Sequence, residues 1–280
     1  MYVLYIMERT STIIVSKPTT RMGEFTLTFP NSITLKGTEQ IGVQNLSLWY
    51  SWDNITQRFN NNIFQYIHAG TTYTITIPDG YYSYSDLNAY IALAMKTAGH
   101  YLLDDKGKEV YYITIQLNTT YYANTFTLTT VPATLPAGWS NPTGMTLTGT
   151  TMQIQVPEGM GKLLGLTQGL YPTSPQLATY QFNSNKTPEI TPVSFVYVHC
   201  DWVSDIRFDA QNSDVISQII VTDTKRGALY NLNPQTIVFY PVMGGTYRSL
   251  TIRMTDQNNL PLNIRDTSAV LISLLLKEFN

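Results

Sequence analysis

At 280 residues the chain is long enough for one large β domain or two ordinary ones, and 43% hydrophobic content excludes a disordered chain. Seventeen basic against nineteen acidic residues leave a net charge of -2, so no chain-wide positive field exists to hold phosphates, and nucleic-acid contact is at most weak. With only 13% charged residues and 20 tyrosines, the surface must be polar but largely uncharged, a composition that suits sheets better than helices.

The first residues, MYVLYIMERTSTIIVSKP, carry only a short apolar stretch before Glu8 and Arg9, with no preceding basic region and no small-residue cleavage site; the expectation is no secretory signal. Residues 1–21 read as an N-terminal arm. Its Thr12–Val15 stretch should add to a sheet edge, its own or a neighbour's, and support assembly more than folding. Residues 22–280 read as a single domain. Strand patterns follow at Ser11–Ser16, Glu24–Phe29, Ile41–Tyr50, Asn62–Ile67 and Thr72–Ile77. The period then changes. Leu87, Ile91, Met95 and Ala98 recur at helical spacing behind Ser83 or Ser85 and before Gly99, which predicts one amphipathic helix over about 85–98.

Further strands are predicted at Glu109–Leu117, Thr125–Val131, Thr151–Val156, Val193–Val203, Val215–Thr222, Thr236–Val242, Tyr247–Thr255 and Ser268–Lys277. Pro132–Thr150 and Gln168–Pro192 lack periodicity and read as long surface loops. Leu250, Ile252 and Met254 alternate with Thr251, Arg253 and Thr255, so that strand should bury one face. Val270–Leu276 is almost continuously apolar and should be covered on both faces, centrally in a sandwich or at a subunit contact. The fold class is all-β, and no apolar run approaches the roughly 18 residues of a membrane helix.

Residues that could carry chemistry are few. His199 and Cys200 are adjacent on a strand and point to opposite faces, so they cannot both ligate one ion; a buried thiol beside an ordinary histidine is the simpler reading. Glu158-Gly159-Met160-Gly161-Lys162 lacks the spacing of a phosphate-binding loop and reads as a Gly-rich turn. Asp201, Asp205, Asp209 and Asp214 near Trp202 could serve a glycosidase, but a solvated loop after a strand produces the same clustering. Tyr81, Tyr82 and Tyr84 could line a groove, although such rings more often pack at sheet edges and subunit contacts. Arg9, Lys17 and Arg21 form a small basic excess that could give only weak, salt-sensitive attraction to a genome. Sequons at Asn45, Asn54, Asn118 and Asn185 are expected by chance in a chain so rich in Asn, Ser and Thr. No catalytic, cofactor-binding or metal-ligating residues are assigned, and no enzymatic activity is expected.

Three segments in order carry a family resemblance: Ile41–Ile55 ending in Ser51-Trp52-Asp53-Asn54-Ile55, the Asn-rich Asn60–Tyr66, and Ile77–Ile91 with Gly80-Tyr81-Tyr82-Ser83. The later stretches Leu164–Leu166, Val196–Asp201, Tyr240–Val242, Leu250–Asp256 and Leu271–Leu274 fit as well. From about Thr26 onward the chain resembles the penton, or minor capsid, protein of polintons (Mavericks), adintoviruses and related virophages. The resemblance implies a single jelly-roll β-sandwich, a homopentamer capping the five-fold vertices of an icosahedral capsid, and a double-jelly-roll major capsid protein as partner. It implies a virion protein made in the host cytoplasm and brings no catalytic residues with it. More strand candidates occur than the eight of one jelly roll, which a small extra subdomain or strands within the long loops would explain. The competing classes are a β-sandwich glycan-binding or viral attachment protein using Trp139, Trp202 and the loop tyrosines, and a β-rich glycoside hydrolase.

Overall fold

Threonine- and tyrosine-rich alternation makes this chain mainly strands. The computed structural model describes residues 9–16, 20–21, 23–203, 206–208, 211–221, 227–265 and 270–278. The longer elements begin with β1 (Arg9–Ser16), β2 (Glu24–Leu35) and β3 (Glu39–Trp49). The middle of the chain holds β4 (Ile63–His68), β5 (Thr71–Thr76), α1 (Tyr84–Thr97), β6 (Ile113–Asn118) and β7 (Ala123–Leu128). There follow β8 (Gln153–Val156), α2 (Glu158–Leu164), β9 (Gly169–Tyr171) and β10 (Tyr180–Asn183). The last are β11 (Phe195–Cys200), β12 (Val215–Ile220), β13 (Leu229–Leu232), β14 (Gly245–Asp256) and β15 (Leu271–Glu278).

The chain divides into two compact units, Met1–Trp52 with Val193–Asn280, and Asp53–Pro192. In the first unit one antiparallel sheet has the order β1-β15-β3-β13 and the other β12-β11-β14-β2. Numbered by position among these eight strands, the orders are 1-8-3-6 and 5-4-7-2, the strand order of a jelly roll. The second unit is therefore an insertion between the third and fourth strands of that jelly roll. This insertion, with β9 and β10 inside the stretch expected to be loop, accounts for the surplus of strands. Residues 9–16 add to a sheet edge of the chain's own jelly roll, one of the two places expected for them: β1 pairs with β15 along its whole length, from Arg9 opposite Glu278 to Ser16 opposite Leu271.

Period-2 burial builds the jelly-roll core. Leu250, Ile252 and Met254 of β14 are buried as their alternation requires, as are Ile13 and Val15 of β1, Val196 and Val198 of β11 and Ile272 and Leu274 of β15. The apolar run of β15 lies inside its sheet, hydrogen-bonded on both edges to β1 and β3; within the single chain Ile272 and Leu274 are buried and Leu271 stays 37% exposed.

The insertion packs two sheets, β9-β8-β4-β5 and β10-β7-β6, with two helices around its own apolar core. α1 starts where the sequence places it. The Ser83 hydroxyl accepts from the Asp86 backbone N–H and the Asp86 carboxylate accepts from that of Ser83, a reciprocal capping box. Leu87, Ile91 and Met95 are buried, and Gly99, at a φ of +76°, ends the helix; Ala98, expected on the apolar face, is exposed. α2 corrects the expectation of one helix. Its two glycines, Gly159 and Gly161, hide a seven-residue helix of about two turns whose Met160, Leu163 and Leu164 are buried, and Gly165 closes it in the left-handed conformation. Two strand expectations shrink. Glu109–Leu117 breaks at Tyr111-Tyr112, and Thr236–Val242 contributes only Tyr240–Pro241 to the sheet.

Candidate functional site

The segment richest in chemical groups runs down β11 into the loop after it. His199 and Cys200 are both buried, and their neighbours differ as opposite strand faces require. The His199 Nδ1 lies 2.6 Å from Asp214 Oδ1, and its Nε2 lies 2.9 Å from Thr255 Oγ1. Arg253, opposite His199 on β14, donates from its guanidinium to Asp214 Oδ2 at 3.2 Å. Burial would raise the Asp214 carboxyl, but the hydrogen bond and charge of His199 and the charge of Arg253 outweigh it and hold the group below its ordinary value. Both imidazole nitrogens are thus engaged within the protein. The expected ordinary histidine is instead the centre of a four-residue polar cluster.

Cys200 is a poor nucleophile here. Burial pushes its thiol up to about 12, so the thiolate is scarce at neutral pH. Asp201 is also committed, accepting from the Thr251 backbone N–H at 2.9 Å, while burial raises its carboxyl. Asp205 and Asp209 lie outside the described residues. Trp202 is fully buried, donates its indole N–H to Ser249 O at 3.0 Å and packs beside Phe29 and Tyr247. It cannot stack on a sugar, and Trp139, half-buried, packs against the core of the insertion. The carboxylates Asp201 and Asp214 therefore serve packing and pairing, and the aromatic part of the glycosidase reading is absent.

The glycines of Glu158–Lys162 are required by close approach rather than by phosphate. A Cβ on Gly159 would sit 1.8 Å from Asn60 O, and one on Gly161 2.5 Å from Leu166 O. Of the three tyrosines, Tyr84 is buried with its hydroxyl on Leu163 O, and Tyr82 caps Pro78 O; they are structural. Among the sequons, Asn54 is buried and tied to Tyr82 and Ile190, so it cannot accept a glycan in the folded unit. Asn185 is exposed, with its amide engaged by Thr167. The side chains of Arg9, Lys17 and Arg21 lie outside the described residues. Among the described residues no three metal-ligating side chains converge, and no helix is long and apolar enough to cross a membrane.

One cluster was missed by sequence reasoning. His68, at the end of β4, and His100, just past α1, are both buried, with ring centroids 5.1 Å apart. Tyr66 meets His100 Nδ1 at 2.7 Å, Tyr73 packs edge-on to the same ring, and His68 Nε2 is buried without a hydrogen-bond partner. Burial, then the proximity of His100, lowers His68 to about 4; burial also lowers His100. No spacing in the sequence links residues 68 and 100, and only the β4-β5 hairpin and the end of α1 bring them together.

No family model matches the chain, and no curated protein matches it. Among solved structures, the mavirus penton protein aligns at 10% identity and a TM-score of 0.51, over 98% of this chain and 100% of that one. A chain of the Sputnik virophage particle aligns at 11% identity and a TM-score of 0.43, over 97% and 98%. By its strand order and this end-to-end match, the chain has the fold of the mavirus penton protein.

Proposed function

We propose that this chain is a structural virion protein, a penton that forms a homopentamer at the five-fold vertices of an icosahedral capsid. The observation that carries the reading is the match of the whole chain, jelly roll and insertion together, to a protein named as a penton. The residues agree with it. The groups that could have done chemistry around β11 are spent on packing and internal hydrogen bonds, and the surface is poor in charge. A closed ring of five needs one heterologous contact, and the edge strands β12 and β13 carry exposed Ile220 (56%) and Leu229 (40%) suited to such burial. The partner at the vertex is a double-jelly-roll major capsid protein, and the protein works in the virion without cofactor or catalysis. Contact with nucleic acid is weak at most.

The test is mass and shape. Light scattering and negative-stain microscopy of the purified chain, alone and co-expressed with its major capsid partner, are expected to show rings of five copies. A strictly monomeric mass at high concentration, with no density at particle vertices, overturns the reading.

A further inference from the structure

We propose that the His68–His100 pair of the insertion is an acid-sensitive latch: when the pair takes up a proton, the segment 141–150 that lies against it is released while the jelly roll stays folded. This goes beyond the capsid role and does not depend on it. The two rings are 4% and 8% exposed with centroids 5.1 Å apart, so a proton on one is felt by the other in a setting that screens charge poorly. Among the described residues His68 Nε2 is buried without a hydrogen-bond partner, so a proton placed there meets no acceptor. The groups facing the pair are neutral. Tyr66 of β4 meets His100 Nδ1 at 2.7 Å, Tyr73 of β5 packs edge-on against the same ring, and the Thr146 backbone bonds the His68 ring. Lys96, in the last turn of α1, is paired with Glu109, and neither acts on the imidazoles. The jelly roll is built the other way. Its His199 lies beside the Asp214 carboxylate, which is held below its ordinary 3.8, so acid reaches that unit in a lower window.

The segment is the part around the pair that costs least to move. Residues 141–150 form neither helix nor strand, and the bridges Leu103–Ser140 and Thr130–Thr151 clamp the chain on either side of them. Between these clamps the segment reaches the pair at two points. The Thr143 hydroxyl donates to Gly99 O at 2.6 Å, beside His100, and the Thr146 backbone bonds His68. Met145 is buried between those points, and Asn141 accepts from its N–H at 2.8 Å and donates to its carbonyl at 2.9 Å, so 141–145 can lift as one closed loop. β4, β5 and α1 are instead held by ladder or helical hydrogen bonds and open at higher cost. The Thr146 bond by itself favours the charged ring, but burial and then His100 outweigh it, so His68 gains by protonation only when water replaces the segment. A ring held at about 4 when closed and at the ordinary 6.5 when hydrated raises the opening constant about twentyfold between pH 7 and pH 5, from His68 alone.

The experiment reads opening by thiol labelling of the full chain carrying Met145→Cys, with the buried Cys200 as the internal measure of the jelly roll. A dithiodipyridine reagent is used at pH 7 and pH 5, and each rate is divided by that of a cysteine peptide at the same pH. The relative rate of the introduced thiol is expected to rise about twentyfold or more on going to pH 5, and that of Cys200 to stay constant. Adding His68→Gln, which keeps an amide donor but cannot titrate, is expected to remove most of the rise. In the unsubstituted chain a proton NMR titration is expected to place the His68 ring well below its ordinary 6.5, a reading that does not depend on any variant folding. A relative rate that does not change with pH, an equal rise at Cys200, a rise left whole by His68→Gln, or a His68 midpoint at or above 6.5 overturns the proposal.

Discussion

His199 and Asp214 meet side chain to side chain at 2.6 Å across neighbouring segments of the jelly roll, and Thr255 takes the other imidazole nitrogen. The cluster ties β11, the start of β12 and β14 together at a point where the β11-β12 register shifts between Val198 and His199. Replacing His199 by Ala would leave the buried Thr255 hydroxyl without this partner and take one of two partners from the half-buried Asp214 carboxylate, which keeps Arg253, at a cost of about 1–2 kcal/mol. Urea denaturation followed by tryptophan fluorescence should show that loss. The Asp214 carboxyl is held low in the fold, so its contribution is full above its ordinary 3.8 and disappears as pH falls through the lower folded value. Asp214→Asn should flatten that acid limb.

Cys200 should behave as a buried apolar group. With its thiol pushed up to about 12 by burial and no exposed surface, it is expected to resist iodoacetamide at pH 8 in the native chain and react fully in urea. Mass spectrometry after a timed quench reads the difference. Rapid native labelling would mean that the jelly roll opens there.

The histidine pair in the insertion loses stability in the same direction as the paired carboxylate, as pH falls, but in a higher pH window. His68 is lowered to about 4 by burial and by His100, and His100 is lowered by burial, so the unfolded chain binds protons first as pH falls. Stability is therefore full above about pH 6.5 and declines towards pH 4, by about 2 kcal/mol between pH 7 and 4.5 from His68 alone. The groups facing the pair are Tyr66, Tyr73 and the Thr146 backbone, so no carboxylate among them offsets the charge. Urea midpoints at the two pH values should differ by this amount and converge in His68→Gln.

In α1, Ile91 is 1% exposed within the core of the insertion. Ile91→Asp puts a carboxylate there without a partner and should cost several kcal/mol, whereas Ser83→Ala removes only the capping bond and should cost about 1 kcal/mol. Thermal melts of the two variants should rank in that order. Equal, small losses would remove α1 from the core.

How much of this was legible in the sequence depends on the range of the interactions. Long alternating strands such as β3 and β14 were legible because period-2 burial writes itself into consecutive residues. The helix α1 was legible for the same reason at period 3.6. The residues that carried the family resemblance prove to share one structural joint. Asn54 bonds Tyr82 and Ile190, Asn61 takes the Thr56 N–H and gives to Asn54 O, and Ile55 bridges Gly80. Their spacing marked a joint without showing what it joined. β9 and β10 were invisible because three- and four-residue strands are held by stacking of Tyr171, Phe182 and Phe126 rather than by any local period. Trp202 stayed open to the competing sugar-platform reading because a tryptophan beside aspartates looks like one until its neighbours on β2 and β14 are known. The division into jelly roll and insertion was hidden too, since composition does not change at Trp52 or Pro192.

The N-terminal strand takes one of the two places expected for it, an edge of its own sheet, which bears on whether it serves folding or assembly. β1 pairs with all eight positions of β15 facing it and buries Val15 and most of Ile13. Two apolar side chains at roughly 1.5–3 kcal/mol each, together with an edge strand's hydrogen bonds, exceed what a dispensable tail contributes. Deleting residues 1–16 should therefore destabilise the jelly roll by several kcal/mol. It would also bare the edge of β15, whose Leu271 is already partly exposed, and so promote aggregation as well as lower the melting temperature. Val15→Asp should reproduce the stability loss without removing the strand. Near-native melting of the truncated chain together with failure to form rings would restore the role in assembly over folding that the sequence suggests.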